Sequence, residues 1–382
     1  MDAAQETVTA AGAGRTSRRP VLFAFVVFGG FWGAWAALVP AVEDAVGASA
    51  GGLGIALLFL GVGALPAMAL VGAGIDRSGA VMLPATLAVF AAAALLPAFA
   101  ESVPTLAVAM LVVGAASGAA DVAINSEVAA LEAATRTSFM PLAHGTFSAG
   151  VIVGAVSAGA ARQLGAGRVG ILAAAAALVA LSAWINRRPY PRLADPAPRS
   201  RALRRPLVVL GAVCAVAFLI EGGIENWSAL FLERELEAEP AVSALAPAAY
   251  AVAMVAGRFG GQWLLTRVTP ALALGAGAAL SAAALTAGSR TGKAGLAVAA
   301  FGLAGIGIAL AAPILFGAAG RLGSDADRGA SVATVTTIAY LGFLAGPPLV
   351  GGTAEAIGLR GSLLVLAAAA AVIAAAAPRL RL

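Results

Sequence analysis

Charge is what this sequence has least of. Charged residues fill 11% of its 382 positions and apolar residues 61%, against about a quarter and about a half in ordinary soluble domains. A soluble fold of this composition would have too little polar surface to cover itself. Lysine occurs once, at Lys293; histidine once, at His144; cysteine once, at Cys214. A single cysteine excludes an intramolecular disulfide framework. The lone histidine and lone cysteine lie on opposite sides of the chain's central break. No metal site is therefore expected, and no cluster of nucleophile and base for a membrane enzyme. No Gly-x-x-x-x-Gly-Lys-Ser/Thr element occurs, which argues against an ATP-driven pump. No cofactor is expected.

What is present is almost continuous apolar sequence from Pro20 to Pro378, cut into twelve pieces. The runs are about 20 residues long and rich in Ala, Leu and Val, the length a helix needs to cross a bilayer. Short segments of alternating polarity, the mark of a membrane barrel, are missing. Crossings are expected at 20–42, 50–75, 80–99, 103–132, 138–163 and 167–186, then at 206–232, 241–266, 269–288, 294–321, 328–354 and 360–377. The one long interruption, 187–205, carries seven arginines and one acid. The expected organisation is a disordered N-terminus (1–19), a six-helix bundle (20–186), an Arg-rich linker (187–205), a second six-helix bundle (206–378) and a short tail (379–382). Placed with the N-terminus inside, the inner segments hold 17 Lys and Arg residues and the outer loops 6. That bias puts both termini and the linker in the cytoplasm. It also explains the +5 net charge without nucleic acid as a partner.

The halves echo each other. Trp35-Ala36-Ala37-Leu38 matches Trp227-Ser228-Ala229-Leu230, and each is followed by an acidic stretch, Glu43-Asp44 in one case and Glu233 to Glu239 in the other. Repeated halves of this kind are a recurrent way to build a transporter.

On these features the chain resembles the major facilitator superfamily over residues 20–378. Asp76-Arg77-Ser78-Gly79 between the second and third spans looks like that family's Gly-x-Leu-Ala-Asp-Arg-x-Gly-Arg-Arg loop. Gly74 stands in place of the Leu, and Ala80-Val81 in place of the trailing basic pair. The Arg of the exporters' fourth span is missing from Met110 to Gly114, and the fifth-span Gly-Pro element is missing from Gly154 to Gly159. A Gly-Pro-Pro-Leu-Val-Gly-Gly element occurs instead at 346–352. Asp121 to Asn125, with His144 to Ser148, looks more like a branch of bacterial inner-membrane permeases near the sugar:proton symporters. The resemblance implies an all-α fold of two pseudo-symmetric six-helix bundles. It implies a central cavity lined by spans 1, 4, 7 and 10, and a cytoplasmic latch at Asp76 and Arg77.

Ionisable groups inside a span cost free energy and persist where they pair or face water. Asp121, with Asn125 one turn on, and Glu221, with Glu225 one turn on, are the main such groups. Asp121, Glu221 and His144 are candidates for proton coupling. Each also has a structural reading, as a hydrogen bond between helices. Asn125, Glu225 and Asn226 are candidates for substrate contact. So are Trp32 and Trp35, with Phe31 and Trp227 as further aromatic faces. Arg258 either snorkels to the headgroups or joins the cytoplasmic latch. Glu127 and Glu132 read as interfacial, and Trp184 and Trp263 as belt residues. Glycine pairs such as Gly29 with Gly33, and Gly150 with Gly154, suit close helix contact. The expected protein is a monomeric, proton-coupled carrier of a small molecule in the bacterial inner membrane, with uptake favoured over efflux. A transporter-shaped receptor is the reading from another class.

Overall fold

The computed structural model describes residues 18–78, 81–187, 204–322, 328–380 and 382. Most of the expected N-terminal segment and of the linker lie outside these residues, as do the side chains of Asp76 and Arg77. The described chain is all helical. Helix α1 spans Arg19–Val46, α2 Ala50–Ser78, α3 Met82–Ala93, α4 Val103–Thr135, α5 Met140–Gln163 and α6 Arg168–Ile185. Helix α7 spans Arg205–Leu236, α8 Leu245–Leu264, α9 Pro270–Arg290, α10 Ala294–Ile308, α11 Ala311–Leu322 and α12 Arg328–Ala376.

Local chemistry sets several of these ends. Proline stands in the first turn of α1, α4, α5, α7 and α9, where its missing N–H costs nothing. Ser102 and Thr105 form a reciprocal capping box at the start of α4. Glu132 is not merely interfacial: its Oε1 accepts from Ser138 Oγ and from the Phe139 and Met140 backbone N–H groups, and so holds the start of α5.

Eleven segments among the described residues are long and apolar enough to cross a membrane. Helices α10 and α11 together form one of them. The last, Ala330–Arg379, has 50 residues, about 75 Å of helix and more than twice the hydrocarbon thickness. It is broken at Gly358, whose φ of 77° and ψ of 165° only glycine adopts readily. Twelve crossings are expected from the sequence; the described residues hold eleven such segments, the last of them broken in two at this glycine.

The same pairing scheme recurs in each half. In the first, α1 packs on α5 and α2 on α4; in the second, α7 packs on the first arm of α12 and α8 on α10. Glycine makes these contacts close. A Cβ at Gly29, Gly33 or Gly150 would overlap a carbonyl oxygen across the α1–α5 seam, and one at Gly63 or Gly114 would do so across α2–α4. Without water to drive helices together, this closeness of fit is a main source of association.

The halves meet through α1 with α7, α5 with α8, and α2 with α12. The polar bonds that join them gather at the face opposite the termini. Arg162 makes a two-pronged bond to Glu233, at 2.6 and 3.0 Å, with both side chains nearly buried. The next residue, Arg234, reaches back to Glu43 at 2.8 and 2.9 Å and to Asp44. Gln163 donates to Glu239, and the Gly51 N–H to Glu355. Gly54 and Gly351 let α2 and α12 touch backbone to backbone there. The molecule is thus closed at that face.

Candidate functional site

Between the halves lies a cavity of about 350 Å³. Helix α1 contributes Phe28, Trp32 and Trp35, and α4 contributes Ser117, Gly118 and Asp121. Helix α7 contributes Glu221, Gly222, Glu225 and Asn226. The four-residue spacing of the two α7 carboxylates puts both on the lining face, as expected. Span 10 does not line the cavity. The remaining wall comes from α2, α5, α8 and α12, including Phe147, Tyr250, Tyr340 and Phe343. The physical reason is position: the cavity sits toward the closed face, where these helices cross between the halves.

The carboxylates differ in their partners. Asp121 Oδ1 accepts from Asn125 Nδ2 at 3.1 Å, and the same amide reaches the Asp121 carbonyl at 2.9 Å. Asn125 is therefore spent on orienting Asp121 and does not line the cavity. Glu221 faces Arg258 at 3.7 Å. Glu225 accepts no hydrogen bond and makes no ion pair among the described residues. It is exposed although it lies well inside α7, and the surface it shows faces the cavity it lines. Asn226 donates to the Gly222 carbonyl at 2.9 Å, which leaves its own side-chain oxygen as an acceptor.

Several sequence expectations move. Arg258 faces Glu221 inside its own half, with 42% of its side chain exposed. His144 lies outside the lining, with its ring edge-on to Phe25 at 5.4 Å. Trp227 and Phe31 are buried and do not line the cavity. Trp184 and Trp263 are exposed near helix ends, beneath Arg187 and Arg267, as interfacial residues would be. Two lining tyrosines, Tyr250 and Tyr340, went unread in the sequence. The Tyr250 hydroxyl and the Trp35 indole N–H are buried without a partner. A second cavity of about 570 Å³ lies on the flank between α1, α5 and α6. Its wall is apolar apart from Ser157, so it offers nothing to fix a polar solute.

A cavity enclosed by two repeated helical halves defines a class of membrane transporters. The chain belongs to the Major Facilitator Superfamily, whose family model matches residues 21–317. It is 33% identical over 337 residues to an uncharacterised MFS-type transporter of Yersinia pestis, covering 87% of each chain. It is 30% identical over 364 residues to the membrane protein MosC of Rhizobium meliloti, covering 91% of this chain and 86% of MosC. Among solved structures, a mutant of the nucleoside transporter NupG aligns with a TM-score of 0.82 at 13% identity, over 95% of this chain and 99% of that one. A bacterial homologue of the human lysosomal transporter Spinster, inward-facing and occupied, aligns at 0.75 and 16% identity, over 94% and 96%. The E. coli fucose:proton symporter FucP aligns at 0.60 and 18% identity, over 95% and 98%. At these identities the structural likeness speaks to fold alone.

Proposed function

We propose that this chain is a secondary active transporter that takes up a small polar or amphipathic solute across the bacterial inner membrane, driven by protons. The observation that carries the reading is the cavity between the halves with Asp121, Glu221 and Glu225 on its wall. A solute bound there is reached from one side only while the opposite face is closed, as alternating access requires. Asp121 and Glu221 are the proposed proton carriers. Each has a neighbour, Asn125 or Arg258, able to hold the carboxylate once its proton leaves. Both termini are assigned to the cytoplasm by the distribution of Lys and Arg, which makes the closed face the outer one. The whole cavity is built by one chain, which supports action as a monomer. Uptake is favoured by the missing exporter elements in the fourth and fifth spans.

The test is substrate-dependent proton flux in proteoliposomes. Solute entry should acidify the lumen, collapse with a protonophore and persist when sodium is replaced by choline. Entry that survives the protonophore but stops without sodium would reassign the carboxylates as cation ligands. Entry indifferent to both would make the protein a uniporter.

A further inference from the structure

The cavity wall is unbalanced in charge. It holds three carboxylates and no Lys, Arg or His side chain. Arg258 stands behind Glu221, its guanidinium 3.7 Å from that carboxylate, and does not line the cavity. Asp121 is held by a neutral amide. Glu225 accepts no hydrogen bond and makes no ion pair among the described residues, although its neighbours on the wall are mostly apolar. Unless it takes up a proton, a carboxylate with no counter-charge on an otherwise apolar and aromatic wall favours a cationic ligand. The hydrogen-bonding groups tilt the same way, since the amide N–H of Asn226 is spent on Gly222 and its oxygen is free to accept. The rest of the wall is aromatic, with Trp32, Tyr250, Tyr340 and Phe343 around the acids. Ring faces attract organic cations.

We infer that the transported solute is a small organic amine whose ammonium group pairs with Glu225. The inference rests on the transport reading above for its direction of movement, but not for the binding chemistry. The roles divide among the three acids: Glu225 holds the ammonium, while Asp121 and Glu221 carry protons, Glu221 resting beside Arg258. The Tyr250 ring lies on the same wall, with its hydroxyl buried behind the surface and without a partner. Anions are repelled by the wall, and neutral analogues leave Glu225 unpaired. At about 350 Å³, near the lower end of ordinary ligand pockets, the cavity takes one ring with its substituents.

The test is binding to the purified full-length protein in lipid nanodiscs, read by thermal stabilisation. The probes are two matched sets: glucosamine, glucose and glucuronate; and tyramine, tyrosol and 4-hydroxyphenylacetate. At least one amine should protect at concentrations where its neutral and anionic counterparts do not. Its affinity should fall at least about tenfold in Glu225→Gln, equivalent to the loss of one charge-assisted contact. It should stay unchanged in Glu101→Gln, an exposed acid outside the cavity. The proposal is overturned if a neutral or anionic counterpart protects as well as its amine. It is equally overturned if Glu225→Gln binds the amine as tightly as the parent, or if neither amine protects. Failure of the transport reading shows differently: the amine would bind selectively yet undergo no exchange in proteoliposomes.

Discussion

Asp121 and Glu221 occupy related places in the two halves, each in the middle stretch of a long helix and each beside a group that stabilises its charged form. That arrangement lets a proton be held and released without leaving a bare charge in the membrane. Asp121→Asn and Glu221→Gln should each abolish accumulation against a gradient while leaving solute exchange at equal concentrations and thermal stability near the parent's. Accumulation ratios in proteoliposomes check this; parent-like ratios in both variants would return the two acids to a structural role. These carboxylates were legible in the sequence because a charge inside an apolar run has few explanations. The tyrosines were not, since Tyr250 and Tyr340 in a span look like any other large side chain until the fold turns them to a cavity. Glu132 was legible only in part, for a related reason. Its partners are the N–H groups of the next helix start, a turn geometry that residue spacing does not reveal.

At the level of helices, glycine sets the distances. On α1, Gly29 and Gly33 meet α5 at Phe147 and Val151; on α5, Gly150 and Gly154 meet α1 at Val26 and Gly30. A side chain at any of them displaces a neighbouring backbone. Gly150→Leu should lower stability by about 1–3 kcal/mol or more. Gly170→Leu, where the space around the Cβ is open, should leave melting in detergent unchanged. Equal melting of the two variants would show that the seam tolerates a wider spacing. The small-residue spacing marked α1 and α5 for close helix contact, but did not show that they contact each other. The Gly-Pro-Pro-Leu-Val-Gly-Gly stretch at 346–352 was seen only as a displaced element. Its use emerged with the fold: Gly351 admits the close crossing of α2 and α12, which no one-dimensional pattern announces because its other side is Gly54, some 300 positions away.

For the whole molecule, the paired acids and arginines at the closed face join the two halves, and the proposed cycle requires them to part. A reporter active only in the cytoplasm, fused to the C-terminus, should be active; one active only outside would invert the topology. Removing one member of the nearly buried Arg162–Glu233 pair costs about 3–5 kcal/mol, because the other charge is left stranded. Glu233→Gln should therefore favour opening of that face. In a Cys214→Ala background, Asn226→Cys should label faster with a membrane-impermeant maleimide applied from that side. The exchanged pair Arg162→Glu with Glu233→Arg should bring labelling back toward the parent rate, and an unchanged rate in the single variant would sink the clamp. The two pairs also differ in how they meet the medium. Arg162 and Glu233 are about 9% and 11% exposed, whereas Arg234 and Asp44 are 38% and 63%. Charges that face water weaken as ions crowd in, with a screening length of about 8 Å at physiological ionic strength and about 3 Å at 1 M. Adjacent residues on one helix thus form one fastening insulated from salt and one exposed to it. On the proposed transport cycle, raising the ionic strength at that face should loosen the second fastening and spare the first.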